Sequence, residues 1–108
     1  MTRSAAIGRA ATYVDSGAFQ AELGRRIALR TESQDPAALP QLHRYLTEEI
    51  GPALDRIGAR WRVVDNPVPG GGPFLVGHRS EDPDRPTVLV YGHGDVVLGQ
   101  PERWRDGL

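Results

Sequence analysis

The sequence contains no cysteine and no lysine, and each absence removes a class of chemistry. Without cysteine there is no disulfide, no cysteine nucleophile and no thiolate metal site. Without lysine, all thirteen basic residues are arginines, and they are scattered along the chain instead of forming one basic cluster. The formal net charge is −1, so no electrostatic case exists for a nucleic acid or an anionic membrane as a partner.

Long apolar runs are missing as well. No stretch approaches the roughly 18 apolar residues of a membrane span, and no secretory apolar region opens the chain. We therefore expect a cytoplasmic protein with no membrane contact. The 108 residues fit one small domain at most, with residues 1–14 as an N-terminal tail or helix start and residues 15–108 as the domain.

Apolar spacing predicts two helices before any strand. Phe19, Leu23 and Ile27 recur every four residues, which indicates a helix over about 16–29 that Asp15 or Ser16 could cap. A second helix should run over about 36–57, because leucines and isoleucines recur there at helical spacing. Within it, the sequence Gly-Pro at positions 51–52 predicts a kink or a restart, and the glycine at position 58 predicts the C-terminal cap.

The period of the pattern then changes to that of strands. Alternating residues around Trp61 and Val63 predict a strand with one solvated face, and residues 74–78 predict its hairpin partner. Residues 87–91 form an unbroken apolar run, which predicts a third strand buried on both faces of a larger sheet. The expected fold is α/β in the order α-α-β-β-β, with a mixed sheet that this chain does not complete.

The third predicted strand leads directly into a glycine-flanked His-x-Asp. Residues two apart project to the same side of an extended segment, so His93 and Asp95 can face one site. A neutral imidazole is a common ligand of zinc and cobalt, and a carboxylate that accepts the other ring N–H fixes the tautomer. The pattern predicts a metal ligand with its orienting partner; a structural turn histidine is the alternative.

Other polar residues give weaker signals. The three glycines at positions 70–72 precede a strand instead of a helix, so they indicate a flexible loop and not a phosphate cradle. His43 and His78 are expected to be solvated. Ser33 and Ser80 have no histidine and acid at a useful spacing, and neither is predicted to be functional.

The run from Val88 to Val97 resembles the first metal-ligand motif of the M20 zinc metallopeptidases, the carboxypeptidase, dipeptidase and aminoacylase-like amidohydrolases. The resemblance implies that His93 binds one of two zinc ions and that Asp95 steadies it, with cobalt or manganese as alternative metals. Two N-terminal helices, a hairpin and Trp104 after the motif agree with the family pattern. The implied substrate carries a peptide or N-acyl amide bond, and a homodimeric parent enzyme is allowed.

The resemblance covers only the N-terminal part of such an enzyme. The family's metal-bridging Asp, its Glu-Glu pair, a further acidic ligand and a distal His cannot be placed here, and Asp106 lies too early to be the bridging residue. One His with a neighbouring Asp cannot enclose a catalytic zinc, which takes three protein ligands. We expect these residues alone to be inactive; the alternative is a non-enzymatic remnant or a small α/β interaction module.

Overall fold

A computed structural model describes residues 2–105; Met1 and residues 106–108, with Asp106 among them, lie outside the described part. The elements in order are α1 (Arg3–Asp15), α2 (Ala18–Ile27), a 3-10 turn (Pro36–Ala38), α3 (Leu39–Arg44), a π-helical stretch (Tyr45–Ile50), α4 (Gly51–Arg56), β1 (Arg60–Val64), β2 (Phe74–His78) and a second 3-10 turn (Pro101–Arg103). No helix in this part of the chain is both long and apolar enough to cross a membrane.

The N-terminal residues form a helix rather than a tail. α1 begins after Thr2, whose side-chain oxygen accepts a hydrogen bond from the Ala5 N–H at 3.3 Å. The helix predicted over 16–29 exists as α2, but the predicted cap is wrong. Asp15 is the last residue of α1, and Gly17 adopts a φ of 77° at the turn between the helices without any side-chain cap. Glycine is suited to this turn because it tolerates a left-handed backbone.

The half-buried carboxylate of Glu22 holds the two N-terminal helices together. Glu22 accepts a hydrogen bond from the Tyr13 hydroxyl and forms ion pairs with Arg26 and Arg56. The Arg56 guanidinium lies 3.2 Å from it, so this carboxylate also ties α2 to α4. The Tyr13 and Phe19 rings meet edge to face with centroids 6.1 Å apart. These contacts make Glu22 the polar link between α1, α2 and α4.

The second predicted helix is confirmed as a continuous helical stretch with the expected irregularity. It starts at Asp35, whose carboxylate accepts the Ala37 N–H at 2.9 Å. Pro52 has no backbone N–H to continue the helical ladder. The preceding residues therefore widen into a π-helical stretch, the Gly51 N–H donates to the Leu46 carbonyl five residues back, and α4 restarts at Gly51.

The helix end and the hairpin also follow the sequence pattern. Gly58 has a φ of 73°, and the Ala59 N–H donates to the Leu54 carbonyl at 3.0 Å, which is the expected C-terminal cap. β1 and β2 then pair antiparallel, with Arg60 opposite His78 and Val64 opposite Phe74.

The helical stretch and the hairpin pack into what we call the helix–sheet unit, residues 39–78. The indole of Trp61 lies so close to Gly51 that a Cβ at this glycine would be 2.2 Å from Cζ2 of the ring. A Cβ at Gly77 would lie 2.9 Å from Leu54 Cδ1, so β2 also approaches α4 closely. The buried apolar residues of the described chain are few: Ala38, Leu42 and Ala59.

The predicted third strand is not present in the described residues. Residues 87–91 form no strand in the described structure, and Val88 to Tyr91 are between 79% and 93% exposed, not buried. Within residues 2–105, the sheet consists of β1 and β2 alone, so no neighbouring strand is available to satisfy the backbone groups of this run. The described fold is therefore mixed helix with a two-stranded antiparallel sheet. We call residues 86–97 the site segment.

Candidate functional site

The site segment brings the predicted His-x-Asp pair together. His93 Nδ1 lies 3.3 Å from Asp95 Oδ1, within reach of a hydrogen bond. The two side chains are 70% and 42% exposed, so solvent reaches both. Because an ionised carboxylate only accepts, Asp95 favours the tautomer with the proton on Nδ1. The lone pair of the other ring nitrogen, Nε2, is then directed away from Asp95.

The side chain of Tyr91 faces the other imidazole nitrogen, Nε2. The Tyr91 hydroxyl lies 3.2 Å from His93 Nε2, and the two rings meet edge to face with centroids 5.1 Å apart. With the proton on Nδ1, this contact is a hydrogen bond donated by the phenol. Tyr91 was predicted only as a strand residue, and its place two residues before the histidine is the signal that relates it to the site.

The other oxygen of the carboxylate is held by a residue far away in sequence. Ser33 Oγ donates to Asp95 Oδ2 at 2.7 Å, across 62 positions of the chain. This hydrogen bond lowers the pKa of Asp95 below its ordinary value; partial burial acts in the opposite direction, and the neighbouring His93 adds a smaller lowering. This pairing could not be predicted, because the sequence of a polar loop does not indicate which distant residue it will contact.

The residues beside Ser33 contact the same loop of the chain. The Val96 N–H donates to the Thr31 carbonyl at 2.9 Å, and the Gly99 N–H donates to Glu32 Oε1, also at 2.9 Å. Thr31 is only 4% exposed. The Gly99 N–H and then Arg30 lower the pKa of Glu32. Residues 31–33 thus contact the chain at Asp95 and Val96, near the end of the site segment, and at Gly99 just beyond it.

His93 and Asp95 line an open cleft of about 380 Å³. Its far wall is the turn before β2, where Asn66 Nδ2 donates to the Gly72 carbonyl at 3.0 Å and fixes the three glycines at positions 70–72. We predicted a flexible loop at these glycines, and in the structure they line one side of the cleft. The described lining includes neither His43 nor His78.

A close approach between backbone and ring shapes the cleft floor. A Cβ at Gly94 would lie 2.8 Å from Cε1 of Tyr45, in the π-helical stretch. The glycine between the histidine and the aspartate therefore lets the site segment lie against the helix–sheet unit. Gly92, by contrast, has open space around its Cα.

The donor set fits part of a metal site and not a complete one. His93 offers one imidazole nitrogen and Asp95 an orienting carboxylate, as in metal-ligating histidines generally. Residues 2–105 contain no group of three or more His, Cys, Asp or Glu side chains placed to hold a metal ion. Since a catalytic zinc takes three protein ligands, further ligands would have to come from outside these residues.

Comparisons with known proteins find no matching family model, no similar curated protein and no similar solved structure.

Proposed function

We propose that the chain is the N-terminal part of the catalytic domain of a zinc-dependent amidohydrolase of the M20 type, which hydrolyses a peptide or N-acyl amide bond. His93 is the first metal ligand and Asp95 orients it. The observation that carries the proposal is the pairing of Nδ1 with Asp95, which keeps the ring's lone pair on Nε2 at the edge of a cleft, where a metal would take the place of the Tyr91 hydroxyl proton.

The exposed run of the site segment gives a second line of support. Four consecutive apolar residues, Val88 to Tyr91, lie almost entirely in solvent. In the proposed domain this run is a central strand of a larger sheet, whose other strands lie outside the described residues. Covering it would remove the solvent exposure and satisfy its backbone donors and acceptors at once.

The division of chemistry follows from the cleft lining. A zinc ion bound there would polarise the amide carbonyl and acidify a bound water molecule. The chain itself supplies one ligand and its orientation. Asp95 is the only carboxylate among the described lining residues, and both of its oxygens are engaged by other side chains. A general base must therefore come from elsewhere, and residues 1–108 alone are inactive in this proposal.

A non-enzymatic interaction module is the second candidate function. It is favoured by the same exposed run, because an unpaired apolar segment can add to the sheet of another protein. In this reading His93 and Asp95 form a turn and bind no metal. The two candidates therefore differ in what zinc does to the histidine.

Zinc titration of the chain, followed by the ring nitrogen signals of His93 in NMR spectra, separates the candidates. We expect a selective shift at Nε2 with weak affinity, since one ligand is present. The shift should vanish in His93→Ala and persist in the matched control His78→Ala. An unchanged His93 signal at saturating zinc would contradict the metal role and favour the interaction module.

The coding sequence beyond the Leu108 codon provides an independent test. The proposal expects an open frame that encodes a glycine-rich motif with the metal-bridging aspartate, followed by a Glu-Glu pair. An immediate stop codon would contradict it.

A further inference from the structure

The carboxylate that orients His93 is itself oriented from another part of the fold. Asp95 Oδ1 faces the imidazole and Oδ2 accepts from Ser33 at 2.7 Å, so the two contacts together fix the rotation of the carboxylate plane. A carboxylate with only one of these contacts could turn its free oxygen towards water, because the side chain is 42% exposed.

We propose that Ser33 is a positioning residue for His93, acting through Asp95. The inference rests on the proposed function only for the role of His93 as a metal ligand. The contacts that carry it, Ser33 to Asp95 and Asp95 to His93, are properties of the chain in the absence of metal.

The backbone around Ser33 is held in place independently of its hydroxyl. The Thr31 carbonyl and the Glu32 carboxylate accept N–H groups from Val96 and Gly99, on the far side of Asp95. These bonds set the distance between residues 31–33 and the site segment. Removing the Ser33 hydroxyl should therefore leave the loop in place and release only the carboxylate, which makes a side-chain test informative.

The consequence is a defined tautomer at His93. A fixed Asp95 accepts from Nδ1 and keeps the lone pair on Nε2, the atom that a metal would bind. Because Ser33 lies 60 positions before His93, this tautomer depends on a tertiary contact and not on the local sequence alone.

The test compares Ser33→Ala, Ser33→Thr and the exposed-serine control Ser80→Ala in the full chain without metal. Nitrogen-15 NMR of the His93 ring, at a pH of about 8.5 where imidazole is neutral, reports which nitrogen carries the proton. We expect the Nδ1–H form to dominate in the wild type and in Ser80→Ala. It should fall in Ser33→Ala, while staying above the level of a solvated imidazole because the Tyr91 hydroxyl still faces Nε2 at 3.2 Å, and be restored by the hydroxyl of Ser33→Thr.

An unchanged tautomer ratio in folded Ser33→Ala would overturn the proposal. If that variant fails to fold, Ser33→Cys provides the same comparison with a weaker donor of similar shape. Zinc affinity then serves as a second readout, with a loss of about tenfold in Ser33→Ala, the low end for partners of a metal ligand. Absence of zinc binding in the wild type would overturn the proposed function while leaving the tautomer result to decide the role of Ser33.

Discussion

The helix–sheet unit and the site segment differ most clearly in how they place their leucines. Leu42, in the helix–sheet unit, is 8% exposed, whereas Leu89, in the site segment, is 93% exposed. Both lie in stretches whose sequence predicts burial. The helix–sheet unit contains its own partners, because α4 packs against the hairpin through Gly51 and Trp61. In the site segment Gly94 lies against Tyr45 of this unit, but Val88 to Tyr91 have no covering element among the described residues.

The two regions also divide packing from chemistry. The helix–sheet unit supplies the buried apolar contacts, and the site segment supplies the His93–Asp95 pair. The site segment meets the helix–sheet unit where Gly94 lies against Tyr45, and its long-range hydrogen bonds come from residues 31–33, outside that unit. The radius of gyration of 17.1 Å exceeds the roughly 13 Å of a compact chain of this length.

The contrast between Leu42 and Leu89 shows that an apolar sequence leads to burial only where the fold provides a covering element.

Leu42→Ala should give the largest loss of stability. The side chain is buried beside the cleft, and truncating a buried leucine costs about 2–5 kcal/mol through lost transfer energy and the cavity left behind. Urea unfolding followed by far-UV circular dichroism measures the loss. A change smaller than about 0.5 kcal/mol, the range of surface substitutions, would show that the helix–sheet unit does not hold the fold together.

Gly51→Ala should come next. A Cβ at this position would lie 2.2 Å from Trp61 Cζ2, so the indole or the helix must move, at a cost of about 1–3 kcal/mol. Gly24→Ala is the matched control, since it also lies in a helix but has nothing within 4 Å of the added carbon. That control should gain about 0.5–1 kcal/mol from helix propensity.

The signature of Gly51→Ala is therefore a difference in sign between two identical substitutions, read from the same urea curves. Two gains of similar size would mean that the Trp61 ring does not pack on α4 in solution.

Acidification should produce a smaller loss of stability, to which Glu22 in α2 contributes. Tyr13 and then the neighbouring arginines lower the pKa of Glu22 in the folded chain below its ordinary value of 4.5. A lowered folded-state pKa gives stability that is complete above the unfolded pKa and disappears as the pH falls through the folded one. The thermal midpoint should thus drop between about pH 5 and pH 3.

Glu22→Gln is the variant that isolates this effect. It removes the titrating group, so its thermal midpoint should be lower near neutral pH and change less on acidification than that of the wild type. Equal acid sensitivity in the two proteins would assign the loss to other carboxylates.

The sequence predicted those parts of the fold that depend on nearby residues. The restart at Gly51, the turn at Gly58 and the hairpin each follow from local backbone chemistry and are confirmed. The His93–Asp95 contact was predictable for the same reason, because the two residues are two positions apart. Its metal role stays a prediction.

The sequence could not predict features that depend on distant partners. Ser33 meets Asp95 across 62 positions, and no local pattern encodes that contact. The prediction of a strand at residues 87–91 was wrong for a related reason. Their apolar pattern is typical of a buried strand, but pairing requires a neighbouring strand that residues 2–105 do not provide. The apolar pattern of a segment indicates that it favours burial in a sheet, and the rest of the fold determines whether a neighbouring strand is there to bury it.

Leu89→Ala should have the smallest effect on stability, although it is the same substitution as Leu42→Ala. A side chain that is 93% exposed has no packing to lose, so the free energy of unfolding should change by less than about 0.5 kcal/mol. Its effect should lie in association, because the exposed run from Val88 to Tyr91 is an apolar patch next to unpaired backbone groups. Sedimentation velocity over a concentration series should show less self-association in the variant. A destabilisation as large as that of Leu42→Ala would show that residues 87–91 are packed in solution, and the contrast between the two regions would then be wrong.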